Sequence, residues 1–221
     1  SENGKACFML NNKPIFQFGP LDQGFWPDGL YTAPSDDALI FDIEQTKALG
    51  FNMSRKHIKV QPARWYYHCV RLGLLSECDQ SGSNLKNHPC IVTWIAFNEG
   101  FGQYADNSNH TRNAYNRIKA LDDTRIVSSA SGWVIFDNVG QVADMHSYPR
   151  PGMLPNPTSN RISVCGEYGG ITYVIKDHVW KNSDMVYVSV NSGEELKDLF
   201  NSYTVLLKPL QADGLGGAVY T

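Results

Sequence analysis

Eight short apolar runs punctuate the chain: Ile15 to Phe18, Phe51 to Ser54, Leu74 to Ser76, Cys90 to Phe97, Arg125 to Ser128, Val142 to Met145, Ile162 to Cys165 and Gly217 to Tyr220. Each has the length of a strand, and several are nearly continuous rather than alternating. That pattern belongs to parallel strands covered on both faces. Parallel neighbours cannot be joined by a tight turn and need a crossover, usually a helix.

Helical spacing fills several of the intervals. The clearest stripe is Leu196, Leu199, Phe200, Tyr203, Leu206, Leu207 and Leu210, opened by the capping box Ser192-Gly193-Glu194-Glu195 and stopped by Gly214. A second helix is expected from about Ser35 to Leu49, ending at Gly50. A third opens at Pro62 and carries Trp65, Cys69 and Leu72 on one face before Gly73. A fourth groups Ala114, Ile118 and Leu121.

Strand and helix therefore alternate, and the fold class expected is α/β, a compact and irregular (β/α)8 TIM barrel. At 221 residues it stands near the lower end of that architecture's range. Three connections lack helical period. Asp79 to Pro89 leaves strands three and four barely a crossover, the fifth-to-sixth connection is short, and Pro149 through Pro157 reads as loop. No composition shift marks a second domain, so residues 1–221 are read as a single barrel.

Composition narrows the function classes. Acidic residues number 22 against 19 basic, a net charge of −3, which leaves no electrostatic footprint for nucleic acid. No apolar run approaches the roughly 20 residues that span a bilayer, and Ser1-Glu2-Asn3-Gly4-Lys5 is no secretory signal. The five cysteines, Cys7, Cys69, Cys78, Cys90 and Cys165, form no Cys-x-x-Cys pair and are expected as small buried side chains. His57, His68, His146 and His178 lack ligand spacing such as His-Glu-x-x-His, so no metal ligand and no cofactor is assigned.

In a barrel of this kind, loops at the carboxyl ends of the strands converge on one mouth. The polar residues there are Arg55, Lys56 and His57 after strand two, Asn98-Glu99 after strand four and Trp133 after strand five. His146 and Tyr148 follow strand six, and Glu167-Tyr168 follow strand seven. Glu99 and Glu167 should face each other across the mouth. Facing carboxyls are what glycoside hydrolysis needs: a protonated acid for the leaving oxygen and a carboxylate for the oxocarbenium-like carbon. Glu77, at the end of strand three, is open to two readings, a third mouth carboxylate and, favoured over it, a structural salt-bridge partner.

The residues around those carboxylates resemble a family. His88-Pro89-Cys90-Ile91-Val92-Thr93-Trp94-Ile95-Ala96-Phe97-Asn98-Glu99-Gly100 is similar to the His-Pro-Ser-Ile…Trp…Asn-Glu signature of family 2 glycoside hydrolases, which include β-galactosidases, β-glucuronidases and β-mannosidases. The resemblance continues through Gly50 to Arg55, Leu72 to Leu75, Asp122-Asp123-Thr124-Arg125, Asp144 to Pro149 and Gly166-Glu167-Tyr168-Gly169-Gly170.

It implies a retaining β-glycosidase with Glu99 as general acid/base and Glu167 as nucleophile, their carboxyls roughly 5–5.5 Å apart. It further implies Asn98 on the sugar 2-hydroxyl, Arg55 and Tyr148 beside Glu167, His146 facing sugar hydroxyls and Trp133 offering a face to a sugar ring. His57 follows Arg55 two residues later where the family's histidine comes three later. The implied partners are a carbohydrate substrate and accessory β-sandwich domains in a longer multidomain glycosidase. Some members also use a divalent cation near the acid/base.

Two rival readings stand beside this one. A carbohydrate-binding barrel without turnover would carry the same residues. A phosphate-binding isomerase or aldolase would use Gly169-Gly170 as an anion loop, or Lys56 as a Schiff-base amine.

Overall fold

The computed structural model describes residues 4–79, 83–103, 108–155, 160–179 and 187–221. The expected loop residues 80–82 and 156–159, and the first three residues, lie outside that set. The chain opens with an antiparallel hairpin, β1 (Phe8–Leu10) and β2 (Lys13–Ile15), which the apolar runs do not signal. Its turn is the pair Asn11 and Asn12, both left-handed (φ 50° and 63°), the conformation a two-residue hairpin turn asks for and asparagine tolerates. Phe8, 2% exposed, packs with Val142, Ile162 and Val164.

The eight expected strands all form. They are β3 (Gln17–Asp22), β4 (Met53–Lys56), β5 (Leu75–Cys78), β6 (Ile91–Ile95), β7 (Ile126–Ser128), β8 (Val142–His146) and β9 (Ile162–Tyr168), with β12 (Leu215–Tyr220) last. Two short strands, β10 (Ile171–Tyr173) and β11 (Val188–Val190), stand apart as a parallel pair. The eight-stranded sheet is parallel throughout and runs in the order β7-β6-β5-β4-β3-β12-β9-β8. Its two ends meet at Gln141. Gln141 donates its backbone N–H to Val127 O (2.9 Å) and accepts from Val127 N–H on Oε1 (3.0 Å), so a side-chain amide closes the seam between β7 and β8.

Among the described residues, four α-helices lie against this sheet. Helix α1 (Asp36–Ala48) starts where Ser35 Oγ accepts from Ala38 N–H, and α2 (Ala63–Leu72) follows Pro62 and ends at left-handed Gly73. After α3 (Ser108–Leu121), α4 (Gly193–Ala212) opens on the expected box, with Ser192 Oγ accepting from Glu195 N–H and Glu195 Oε2 from Asn191 N–H. The three connections without helical period carry no α-helix among the described residues, and only a 3-10 turn at Ser83–Leu85 stands in the first. Leu39, Ile43, Trp65, Tyr66 and Trp94 build the apolar layer under α1 to α3, while Tyr203 and Leu207 anchor α4 on β9 and β12.

The apolar runs end before the strands do. Arg55, Lys56, His146 and Glu167, expected in loops after their runs, lie within β4, β8 and β9. Ladder hydrogen bonds continue through them, and a polar residue facing a polar interior does not interrupt a strand. Four cysteines are buried and Cys7 partly so, all free. No described helix is long and apolar enough to cross a membrane.

The Asp122 to Arg125 motif proves architectural. Asp122 Oδ2 accepts from Trp94 Nε1 (2.9 Å) and Arg125 Nη1 (2.6 Å), and Arg125 donates onward to Ile91 O (2.8 Å) and Lys86 O (2.7 Å). It ties the amino ends of β6 and β7, far along the strands from the mouth.

Candidate active site

Arg55 lies inside the barrel with no exposed surface. Its guanidinium donates to Asp79 through Nε (3.1 Å to Oδ1) and Nη2 (3.2 Å to Oδ2), to Asn98 Oδ1 (2.9 Å), to Glu167 Oε1 (3.1 Å) and to Gly166 O (3.1 Å). Burial opposes the charge, but Asp79 and Glu167 outweigh it and hold the guanidinium above its ordinary range. At Asp79, burial is likewise overcome by Arg55 and by His57, whose Nδ1 meets Oδ2, so the carboxyl sits below the usual carboxylate range.

Glu99 is held by the backbone. It adopts a left-handed conformation (φ 52°), and its N–H donates to Ser131 O (2.7 Å) while Ser131 N–H donates to Phe97 O (2.8 Å). Left-handed geometry in a non-glycine residue is strained and tends to accompany function. Gly132 makes room: a Cβ there would stand 3.2 Å from Glu99 Cγ.

His146 joins the two carboxylates. Nδ1 lies 2.8 Å from Glu99 Oε1 and 3.6 Å from Glu167 Oε2, and Nε2 lies 2.8 Å from Ser131 Oγ. Ser131 Oγ in turn donates to Asp144 Oδ2 (2.5 Å), and Asp144 Oδ1 accepts from Gly166 N–H (2.7 Å). Asp144 is raised above the ordinary carboxylate value by burial, against the pull of His146 and Arg55. Tyr148 donates its hydroxyl to Glu167 Oε2.

Six of the seven expected residues thus converge: Arg55, Asn98, Glu99, His146, Tyr148 and Glu167. Trp133 stands at the rim, 62% exposed, its ring edge-on to His146 with centroids 5.6 Å apart. Three participants were missed. Asp79 and Ser131 lie in connections, and Asp144 interrupts the otherwise apolar run Val142 to Met145, a signal the sequence carries. Glu77 corrects the salt-bridge reading. It is buried within the barrel, makes no ion pair within 4.0 Å among the described residues, and is pushed up to about 7 by desolvation.

The aldolase and phosphate readings lose their groups. Lys56 points away from the mouth, pairing with Asp22 and lying 3.9 Å over the Trp65 ring. The Gly169 and Gly170 amides are already bonded to Pro149 O (2.9 Å) and Thr221 O (2.8 Å). Both amides donate within the chain instead of to an anion site.

As for a cation, the ligand atoms that Glu99, His146 and Glu167 offer lie within 4.8 Å of one another, close enough for a small ion to draw on all three. Sequence spacing could not reveal this, because the three sit on separate strands and loops. Each atom already has a protein partner: Glu99 and His146 bond each other, and Arg55 and Tyr148 take the two oxygens of Glu167.

No protein-family model matches the sequence, and no curated protein matches it. Solved structures do match. The β-glucuronidase of Parabacteroides merdae superposes with a TM-score of 0.70 at 16% identity, over 97% of this chain and 32% of that one. The chain has the barrel fold of these glycosidases. Bacteroides uniformis β-glucuronidase 2, covalently bound to cyclophellitol-6-carboxylate aziridine, gives 0.68 at 17% identity over 98% of this chain and 31% of its own. A GH2 β-galacturonidase from Eisenbergiella tayi, bound to galacturonate, gives 0.64 at 18% over 95% and 44%. The chain spans about a third of the length of the first two structures.

Proposed function

We propose that this barrel is the catalytic domain of a retaining β-glycosidase, with Glu167 as nucleophile and Glu99 as general acid/base. The observation that carries the reading is that a carboxylate oxygen of Glu99 lies within 4.8 Å of a carboxylate oxygen of Glu167. That is close to the separation of a double displacement and short of the roughly 6.5–9.5 Å that would admit an intervening water. The covalent adduct of the Bacteroides uniformis enzyme is in keeping with it.

The side chains divide the work. Arg55 and the Tyr148 hydroxyl occupy one oxygen of Glu167 each, steadying its negative charge and fixing its rotamer for attack on the anomeric carbon. Glu99 delivers its proton to the departing glycosidic oxygen and then, as carboxylate, takes a proton from the water that hydrolyses the glycosyl-enzyme. His146, bonded to Glu99, orients that carboxyl. Because Asn98 Oδ1 is taken by Arg55, its amide nitrogen is left to donate to the sugar 2-hydroxyl. The partner is a carbohydrate, and accessory β-sandwich domains accompany the barrel in a longer protein.

The test is intact-mass analysis after incubation with activated 2-fluoro β-glycosides, uronides included, followed by peptide mapping. One sugar's mass on the Glu167 peptide is expected. Absence of any adduct across the panel, with sugar binding retained, would make this a binding barrel instead.

A further inference from the structure

The mouth carries one more aromatic ring, outside the roles above. Between β9 and α4 the chain leaves the barrel as the parallel pair of β10 and β11, with Ile171 opposite Val188. Tyr187 immediately precedes β11 and lies flat on Tyr148, centroids 4.0 Å apart and planes within 6°. Gly170 permits the approach: a Cβ at that position would come 2.5 Å from Tyr187 Cδ2. The outer side of Tyr187 faces solvent, the residue being 59% exposed.

We propose that Tyr187 is a positioning residue for Glu167, acting through Tyr148; the inference rests on the glycosidase reading. A tyrosine hydroxyl can follow a hydrogen-bond acceptor through a range of ring tilts, so the bond to Glu167 alone does not fix the Tyr148 ring. A second ring stacked on its face removes that freedom. The Tyr148 hydroxyl then stays on Glu167 Oε2 while Arg55 holds Oε1, and the carboxylate presents one orientation to the anomeric carbon. Tyr187 thereby contributes to the site from the excursion between strand seven and α4.

The experiment is a double-mutant cycle on the rate of labelling by the best 2-fluoro glycoside. Tyr187→Ala is expected to slow labelling about fivefold, the worth of one aromatic stack, with the reagent's saturation constant little changed. Tyr187→Phe, which keeps the stack, is expected to rescue the rate. In a Tyr148→Phe background, where no hydroxyl reaches Glu167, Tyr187→Ala should lose most of its effect. An equal effect in both backgrounds, or a change confined to the saturation constant, overturns the inference and leaves the glycosidase reading intact. Failure of the unmutated protein to label defeats that reading, and the inference falls with it. Thermal unfolding of each variant identifies any loss that comes from misfolding.

Discussion

Arg55 Nη2 donates to Asn98 Oδ1 at 2.9 Å, and that bond couples the second and fourth strands of the barrel beneath the mouth. The same guanidinium reaches Glu167 on the seventh strand and Asp79 beyond the third. One buried cation therefore sets the spacing of both proposed catalytic carboxylates, since Asn98 and Glu99 are neighbours in the chain.

Removing it should be costly. Arg55→Met takes the guanidinium from the buried Asp79 carboxylate and leaves only His57 beside it, and breaking one half of a buried pair costs about 3–5 kcal/mol. Urea denaturation should show that loss together with loss of labelling. A variant as stable as the unmutated protein would mean that Asp79 and Glu167 are not held by Arg55.

The two glutamates should fail differently. Glu167→Gln is expected to abolish turnover on every substrate. Glu99→Gln should lose about 10²–10⁴-fold on glycosides with poor leaving groups, yet largely keep glycosylation from activated aryl glycosides, which need no proton. Steady-state and burst kinetics on a leaving-group series separate the two, and equal losses on the most activated member would contradict the assignment.

Glu77 makes a prediction with a sign. Its ordinary value of 4.5 rises to about 7 on burial. Between those values the unfolded chain has released the proton that the folded chain keeps, so stability falls as pH rises through the window and the penalty is complete above it. Glu77→Gln should therefore be more stable than the unmutated protein at pH 8, by up to roughly 3 kcal/mol, with the difference fading toward pH 4. Thermal unfolding at several pH values checks it; a difference that does not change with pH would exclude this residue as the titrating group.

At Gly166 there is no room for a side chain. A Cβ would stand 2.2 Å from Asp144 Oδ2, beside the residue proposed as nucleophile. Gly166→Ala should destabilise by about 1–3 kcal/mol or more and slow labelling, because Asp144 can retreat only by breaking its bonds to Ser131 and the Gly166 amide. Normal stability with normal labelling would show that the strand has slack.

Asp122→Ala should lower the unfolding midpoint while leaving the labelling rate of the folded fraction alone. It strands the indole N–H of Trp94, 1% exposed, at a cost of about 1–3 kcal/mol, at the end of the barrel away from the mouth.

Much of this protein follows from local pattern. The apolar runs define eight parallel strands, Ser35, Pro62, Gly73 and Ser192 bound helices where capping chemistry says they should, and the polar residues closing those runs point to the mouth. All of that depends on neighbours in the chain. Where Glu77 and Asp79 go does not: two residues apart on one segment, the first is buried without an ion pair among the described residues and the second is clamped by Arg55 and His57. Lys56 and Arg55 are adjacent cations, yet strand alternation sends one outward to Trp65 and Asp22 and the other into the barrel. The His146 bridge, the Asp144 to Ser131 relay and the Tyr187 stack join residues far apart in sequence. Only closure of the sheet into a barrel, with its strand register, brings them within bonding distance.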